Sequence, residues 1–182
     1  MSRPAAVPII PFMLRFVLSI GLCLVTGAAL AESPIPADAK VAFLGLTFLD
    51  TSQEGETFGE NPEERALVEM AERMVTERFE AEGLTFVDTA PVQDRLDATV
   101  NPAKCYGCDT RMGATLGADY VLLGEIQKVS NLILAMNVQL RAVPSGDLVA
   151  GRSVEIRSNT DDSWARGIRY ILENSIFREE TQ

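Results

Sequence analysis

Three stretches of this chain carry residue types that could do chemistry. Cys105-Tyr-Gly-Cys108 places two thiols three residues apart. The segment Asp50 to Glu60 gathers the carboxylates of Asp50, Glu54, Glu56 and Glu60 with the hydroxyls of Thr51, Ser52 and Thr57. Asn159-Thr160-Asp161 stands just ahead of Trp164, the sole tryptophan. Histidine is absent, which removes the commonest general base and the commonest metal ligand together. A Ser-His-Asp triad, a Cys-His pair and a histidine zinc site are thereby excluded.

Each stretch has a plain reading and a sharper one. In an oxidising compartment Cys105 and Cys108 close into a local disulfide that fixes the turn into the following helix. Alternatively they form a redox pair, because thiolates near a helix N-terminus gain from the helix dipole. Against the redox reading, the motif follows Asn101-Pro102 rather than a strand, and no thioredoxin-like βαβ frame surrounds it. A metal site would need two further nitrogen or sulfur ligands, so no metal and no cofactor is expected. The acidic segment does not have calcium-loop spacing and reads as a solvated connector. Loops at the carboxyl ends of sheet strands are nevertheless where ligands settle in α/β folds, which leaves Asp50, Thr51 and Ser52 as candidate binding residues. Asn159, Thr160 and Asp161 read as a helix cap with Trp164 as a core aromatic. The alternative is a partner or anion site built from the cap's N–H groups with Arg157 or Arg166. Neither a phosphate loop nor a dinucleotide glycine motif is present.

The start of the chain bears on where this chemistry would operate. Arg3 and Arg15, the apolar run Phe16 to Val25 and Ala29-Leu30-Ala31 have the pattern of a signal peptide cleaved after Ala31. The run is shorter than the roughly 20 residues a span needs. Cys23 follows Leu22 where a lipidation site would have a small residue, so neither lipid nor membrane anchor is expected after cleavage. The expected address is the periplasm. Removing 31 of 182 residues takes two of 16 basic and none of 26 acidic residues, and the net charge moves from −10 to −12. That balance argues against nucleic acid and anionic membrane surfaces, which demand clustered Lys and Arg.

The elements that must position the three stretches follow from periodicity. Residues 32–39 form a proline-broken leader, and 40–182 a single domain. Lys40 to Leu49 reads as a buried strand. Asn61-Pro62-Glu63-Glu64 starts a helix that runs to about Glu82, with Leu67, Met70, Ala71, Met74, Val75 and Phe79 on one face. Leu84 to Asp88 reads as a short strand, Pro91 to Ala98 as a small helix, and Cys108 to Gly117 as another. Strands follow at 118–129, 131–143 and 148–157, the last two joined by a turn at Pro144-Ser-Gly-Asp147. A final helix carries Trp164, Ile168, Ile171, Leu172 and Ile176 at helical spacing. The order β-α-β-α-α-β-β-β-α predicts an α/β (α+β) fold, a mixed sheet with helices packed over it in two or three layers.

Leu116-Gly-Ala-Asp-Tyr-Val-Leu-Leu-Gly124, with a helix before it and Ser145-Gly-Asp147 after, resembles a segment shared by the TolB N-terminal domain, CsgG and LpoB-type lipoproteins. Asp50-Thr-Ser52, Cys105 to Cys108, Lys128 to Leu134 and Asn159 to Trp164 together resemble a family of exported bacterial proteins whose domain has no known function. The resemblance implies that fold and an accessory role through binding another envelope protein or a small ligand. It implies no reaction. CsgG and LpoB relatives are lipoproteins, and their anchoring does not carry over to a chain without a lipidation site.

Overall fold

The computed structural model describes residues 35–178. The signal peptide with Cys23, the cleavage position after Ala31 and the start of the leader lie outside the described residues. The chain folds as β1 (Val41–Asp50), α1 (Gln53–Phe58), α2 (Pro62–Ala81), α3 (Gln93–Asp97), α4 (Cys108–Thr115), β2 (Tyr120–Ser130), β3 (Ile133–Ala142), β4 (Leu148–Ile156) and α5 (Asp161–Ile171). Short 3₁₀ turns precede α3 and α4, and a π turn, Leu172–Ile176, extends α5. The four strands form one mixed sheet in the order β1-β2-β3-β4. β1 and β2 are parallel, as their helical crossover requires, and the remaining pairs are antiparallel hairpins. This is the expected mixed α/β class.

α2 and α5 cover one face of the sheet. Leu67, Ala71, Val75 and Phe79 of α2 and Trp164, Ile168 and Ile171 of α5 bury against Leu122, Ile126, Leu134, Met136 and Leu140. α4 and the turns before it cover the other face of β1 and β2, with Met112 against Ala42, Leu44, Val121 and Leu123. α2 and α5 run in the same direction. Asn159, just ahead of α5, bonds Glu64 near the start of α2, and Phe177 after α5 meets Phe79 near the end of α2 at 4.8 Å between ring centroids.

β1 carries one irregularity. The register with β2 slips by one residue between Phe43 and Leu46, where Gly45 sits at φ +86°. A bulge of this kind reverses which face each later residue takes. Ala42 and Leu44 face α4, yet Leu46 beyond the bulge joins the α2–α5 side. Glu72 accepts the Leu46 amide at 2.8 Å, satisfying the N–H that the bulge would leave unpaired. Burial pushes the Glu72 carboxyl above its ordinary range, only partly opposed by that bond.

Three local expectations are corrected. Leu84 to Asp88 is not a strand; only Phe86 makes an isolated bridge, to Val41. The acidic segment is not all connector, since Ser52 caps a six-residue helix by accepting from the Gly55 amide at 3.2 Å. Thr160 occupies the N-cap position of α5, but no side chain caps that helix. Asn159 is turned inward to other work, and Ser163 Oγ donates to the Arg157 carbonyl instead.

Candidate functional site

Two of the three stretches singled out in the sequence meet at one buried lysine. Lys128, near the end of β2, has a side chain only 1% exposed. Alternation along β2 places it on the same face as Leu122 and Ile126, directly beneath the start of α2. Its Nζ pairs with Glu64 Oε1 at 2.6 Å, Asp50 Oδ2 at 3.1 Å and Glu54 Oε2 at 3.2 Å. Each carboxylate comes from a different element: Asp50 from the end of β1, Glu54 from α1, Glu64 from α2.

Each carboxylate accepts a second hydrogen bond, Glu64 and Glu54 on the same oxygen that meets Lys128, and Asp50 on its other oxygen. Asn159 Nδ2 donates to Glu64 Oε1 at 2.8 Å, and Trp164 Nε1 donates to Asn159 Oδ1 at 2.8 Å. Asn131 Nδ2 donates to Glu54 at 2.8 Å. The Ser52 amide donates to Asp50 Oδ1 at 2.8 Å, and both the amide and the hydroxyl of Thr51 donate to the Lys128 carbonyl at 2.9 Å. Gly55 lets α1 close over Asp50, because a Cβ there would fall 2.6 Å from Oδ2. Asp50, Thr51 and Ser52 are thus joined with Asn159 and Trp164 in one hydrogen-bonded unit. Thr160 and Asp161 stay exposed at the start of α5, outside it. Trp164 is fully buried and packs on Phe48 at 5.8 Å between ring centroids. Arg157 pairs with Glu155 on the surface, and Arg166 is exposed on α5.

The electrostatics are those of a clamp, not of a proton carrier. Burial alone would lower the Lys128 pKa, but the hydrogen bonds it donates to Glu64, Asp50 and Glu54 outweigh this and raise it. Burial likewise pushes Asp50 up, while hydrogen bonds from Ser52 and Lys128 prevail and hold it below its ordinary value. Asn131 and then Lys128 lower Glu54. A lysine locked as ammonium is no base or nucleophile near neutral pH, and a carboxyl locked as carboxylate is no general acid.

Beside the clamp lies an open cleft of about 470 Å³ between the end of β1 and the start of α2. Leu46, Phe48 and Val68 supply apolar walls, and Asp50 and Glu64 present carboxylates to it. Arg65, bonded to Glu60 at 2.6 Å, stands at its edge. Phe58, 81% exposed at the end of α1, and Leu132, 70% exposed beside Asn131, project from this same end of the molecule. Such an arrangement suits a group with an apolar body and a positive charge.

Cys105 and Cys108 form a disulfide at the far side of the sheet, closing the turn into α4. Tyr106 within that ring is fully exposed at φ 54°. Cys108 opens α4, but the pair follows a 3₁₀ turn rather than a strand, so among the described residues no thioredoxin-like frame surrounds it.

Lys128, Glu64 and Asn131 were not among the site residues expected from sequence. The signal for Lys128 was available: reading β2 by alternation puts it on the buried side, where a lysine requires carboxylate partners.

No curated protein matches this chain in sequence. Similar solved structures include the LpoB C-terminal domain from Salmonella enterica, 15% identical, covering 68% of this chain and 86% of that one, with a TM-score of 0.46. The PelC dodecamer from Paraburkholderia phytofirmans, in a leucine-to-methionine variant, is 14% identical, covering 79% of this chain and 89% of that one, with a TM-score of 0.45. Lipoprotein GNA1162 from Neisseria meningitidis is 17% identical, covering 68% and 83%, with a TM-score of 0.43. At these identities and TM-scores no property of those proteins transfers to this one. Residues 39–176 match the model of the DUF3280 family, described as "Protein of unknown function (DUF2380)", and the chain belongs to that family.

Proposed function

We propose that this protein is a non-enzymatic accessory protein of the bacterial envelope, exported to the periplasm with cleavage after Ala31. It acts by binding another exported protein, or a small ligand, at the end of the molecule built from Asp50 to Ser52 and Asn159 to Trp164. The observation that carries the reading is the cleft beside the Lys128 clamp. Leu46, Phe48 and Val68 give it apolar walls, the acidic residues Asp50, Glu60 and Glu64 line it, and the clamp fixes Asp50 and Glu64 in place. Trp164 and Asn159 serve this site from within, as positioning residues. Contact with a partner falls to the cleft and to the exposed Phe58 and Leu132. The chemistry that fits is a lysine or arginine side chain flanked by apolar groups, or a small amine of similar shape.

Affinity capture from the bacterial envelope tests this, comparing the exported protein with its Phe58→Ala/Leu132→Ser variant. Both residues are exposed, so the variant should keep its melting temperature. The expected result is a partner retained by the unaltered protein and lost by the variant. Identical sets retained by both, or none retained by either, would overturn the reading.

A further inference from the structure

The opposite end of the α2–α5 pair carries a second candidate site, independent of the first. An open groove of about 610 Å³ is lined there by Arg78, Arg152 and Arg178, with Tyr170, Phe177 and the single carboxylate of Glu173. Three guanidinium groups from three separate parts of the chain converge on one groove, in a protein whose net charge is −10. Helix dipoles account for part of this, since cations are favoured at helix C-termini, where Arg78 and Arg178 stand. They do not account for Arg152, which comes from the edge strand β4.

The bonding of these arginines is incomplete. Arg152 donates to the Tyr170 hydroxyl at 3.0 Å and lies 5.0 Å from the centre of its ring, with no acidic partner among the described residues. Arg78 pairs through one terminal nitrogen with Glu82 at 2.6 Å and stacks 5.2 Å from the centre of the Phe177 ring. Its Nε is buried and has no hydrogen-bond partner among the described residues. A buried donor without a partner is costly, so an arrangement that brings an acceptor to it is favoured. Both guanidinium groups are set against aromatic rings, which limits the ordering cost of binding.

We propose that this groove binds an oxyanion, a carboxylate or phosphate held by the forks of Arg78 and Arg152 with Arg178 adding charge. Guanidinium groups match the paired oxygens of such groups, and charge-assisted bonds are the stronger kind. Two sources offer that chemistry: free phosphate, and the acidic side chains of a polypeptide.

Calorimetry and NMR of the arginine Nε–Hε signals on the full mature chain distinguish them, using inorganic phosphate in one arm and a short glutamate peptide in the other. Chloride at matched ionic strength is the control. The expected result is that millimolar phosphate or peptide shifts the Arg78 and Arg152 signals beyond the chloride control. Arg152→Gln should then weaken binding about tenfold or more, and Arg178→Gln by less, with melting temperatures unchanged. The tighter probe identifies the source. No shift beyond chloride with either probe, or unchanged binding in Arg152→Gln, would overturn the proposal.

Discussion

At the starting end of the parallel α2–α5 pair, Lys128 is 1% exposed and makes three ion pairs. At the finishing end, Arg152 is exposed and has no acidic partner among the described residues. Both ends gather charge complementary to the helix dipoles: Glu63, Glu64, Asp161 and Asp162 at the start, Arg78 and Arg169 near the finish. They differ in burial. A buried charge network must be satisfied from within, and its loss is felt by the whole fold. An exposed, part-satisfied group can be altered with little effect on folding, so what it does must be sought in binding. The binding proposed at the first end therefore relies on a rigid frame, and that proposed at the second on exposed, part-satisfied groups.

The largest expected effect comes from breaking the first end. Lys128→Met leaves Asp50, Glu54 and Glu64 facing one another without their cation. Removing one partner of a buried pair typically costs about 3–5 kcal/mol. At about 2–4 °C per kcal/mol for a chain of this size, melting should fall by roughly 10 °C. A loss below about 1 kcal/mol in denaturant unfolding would show that the clamp is not structural.

Trp164→Ala should cost a similar amount, about 3–5 kcal/mol, because the ring is fully buried and holds Asn159. The emission of this sole tryptophan should be blue-shifted and resistant to quenchers. A water-like maximum would remove it from the core and detach Asn159 from the clamp.

Acid separates the ends more gently. Asp50 titrates below its ordinary value in the folded protein, so its stabilisation is present above the unfolded pKa of about 3.9 and fades as pH falls through the folded value. Lys128 has the opposite sense: raised in the fold, it stabilises below its unfolded pKa and fades only in strong alkali. Stability should therefore fall as pH drops below about 4, and less steeply in Asp50→Asn. A slope unchanged by that substitution would take Asp50 out of the clamp.

The smallest expected effect is at the second end. Arg152→Gln should change stability by less than about 0.5 kcal/mol in denaturant unfolding. A larger loss would make Arg152 part of the frame and erase the contrast.

Most of the elements were legible in the sequence because their signals are local. Asn61-Pro62 starts α2, Gly83 follows its end, and the apolar stripe of α5 lies where its spacing put it. The site was legible only in pieces. Asp50-Thr-Ser52 and Asn159 to Trp164 stood out as polar stretches, but their meeting depends on Lys128 and Glu64, 64 positions apart in the chain. The bulge at Gly45 decides that Asp50 faces Lys128, and a one-residue slip has no sequence signature beyond a glycine in a strand. Asn159 carried a helix-cap signal and was diverted to Glu64 and Trp164, a tertiary demand that local propensity does not contain. The short α1 was hidden because six residues with no buried side chain show no apolar period.

The most direct test is whether, and where, this protein crosslinks to a partner in living cells. A photoreactive phenylalanine analogue at position 58, beside the cleft, is compared with the same analogue at position 111, exposed on α4 across the sheet. The account predicts a discrete crosslinked product at 58 and not at 111, weakened when Lys128→Met loosens the clamp. Crosslinking at 111 alone, or at neither position, would contradict it.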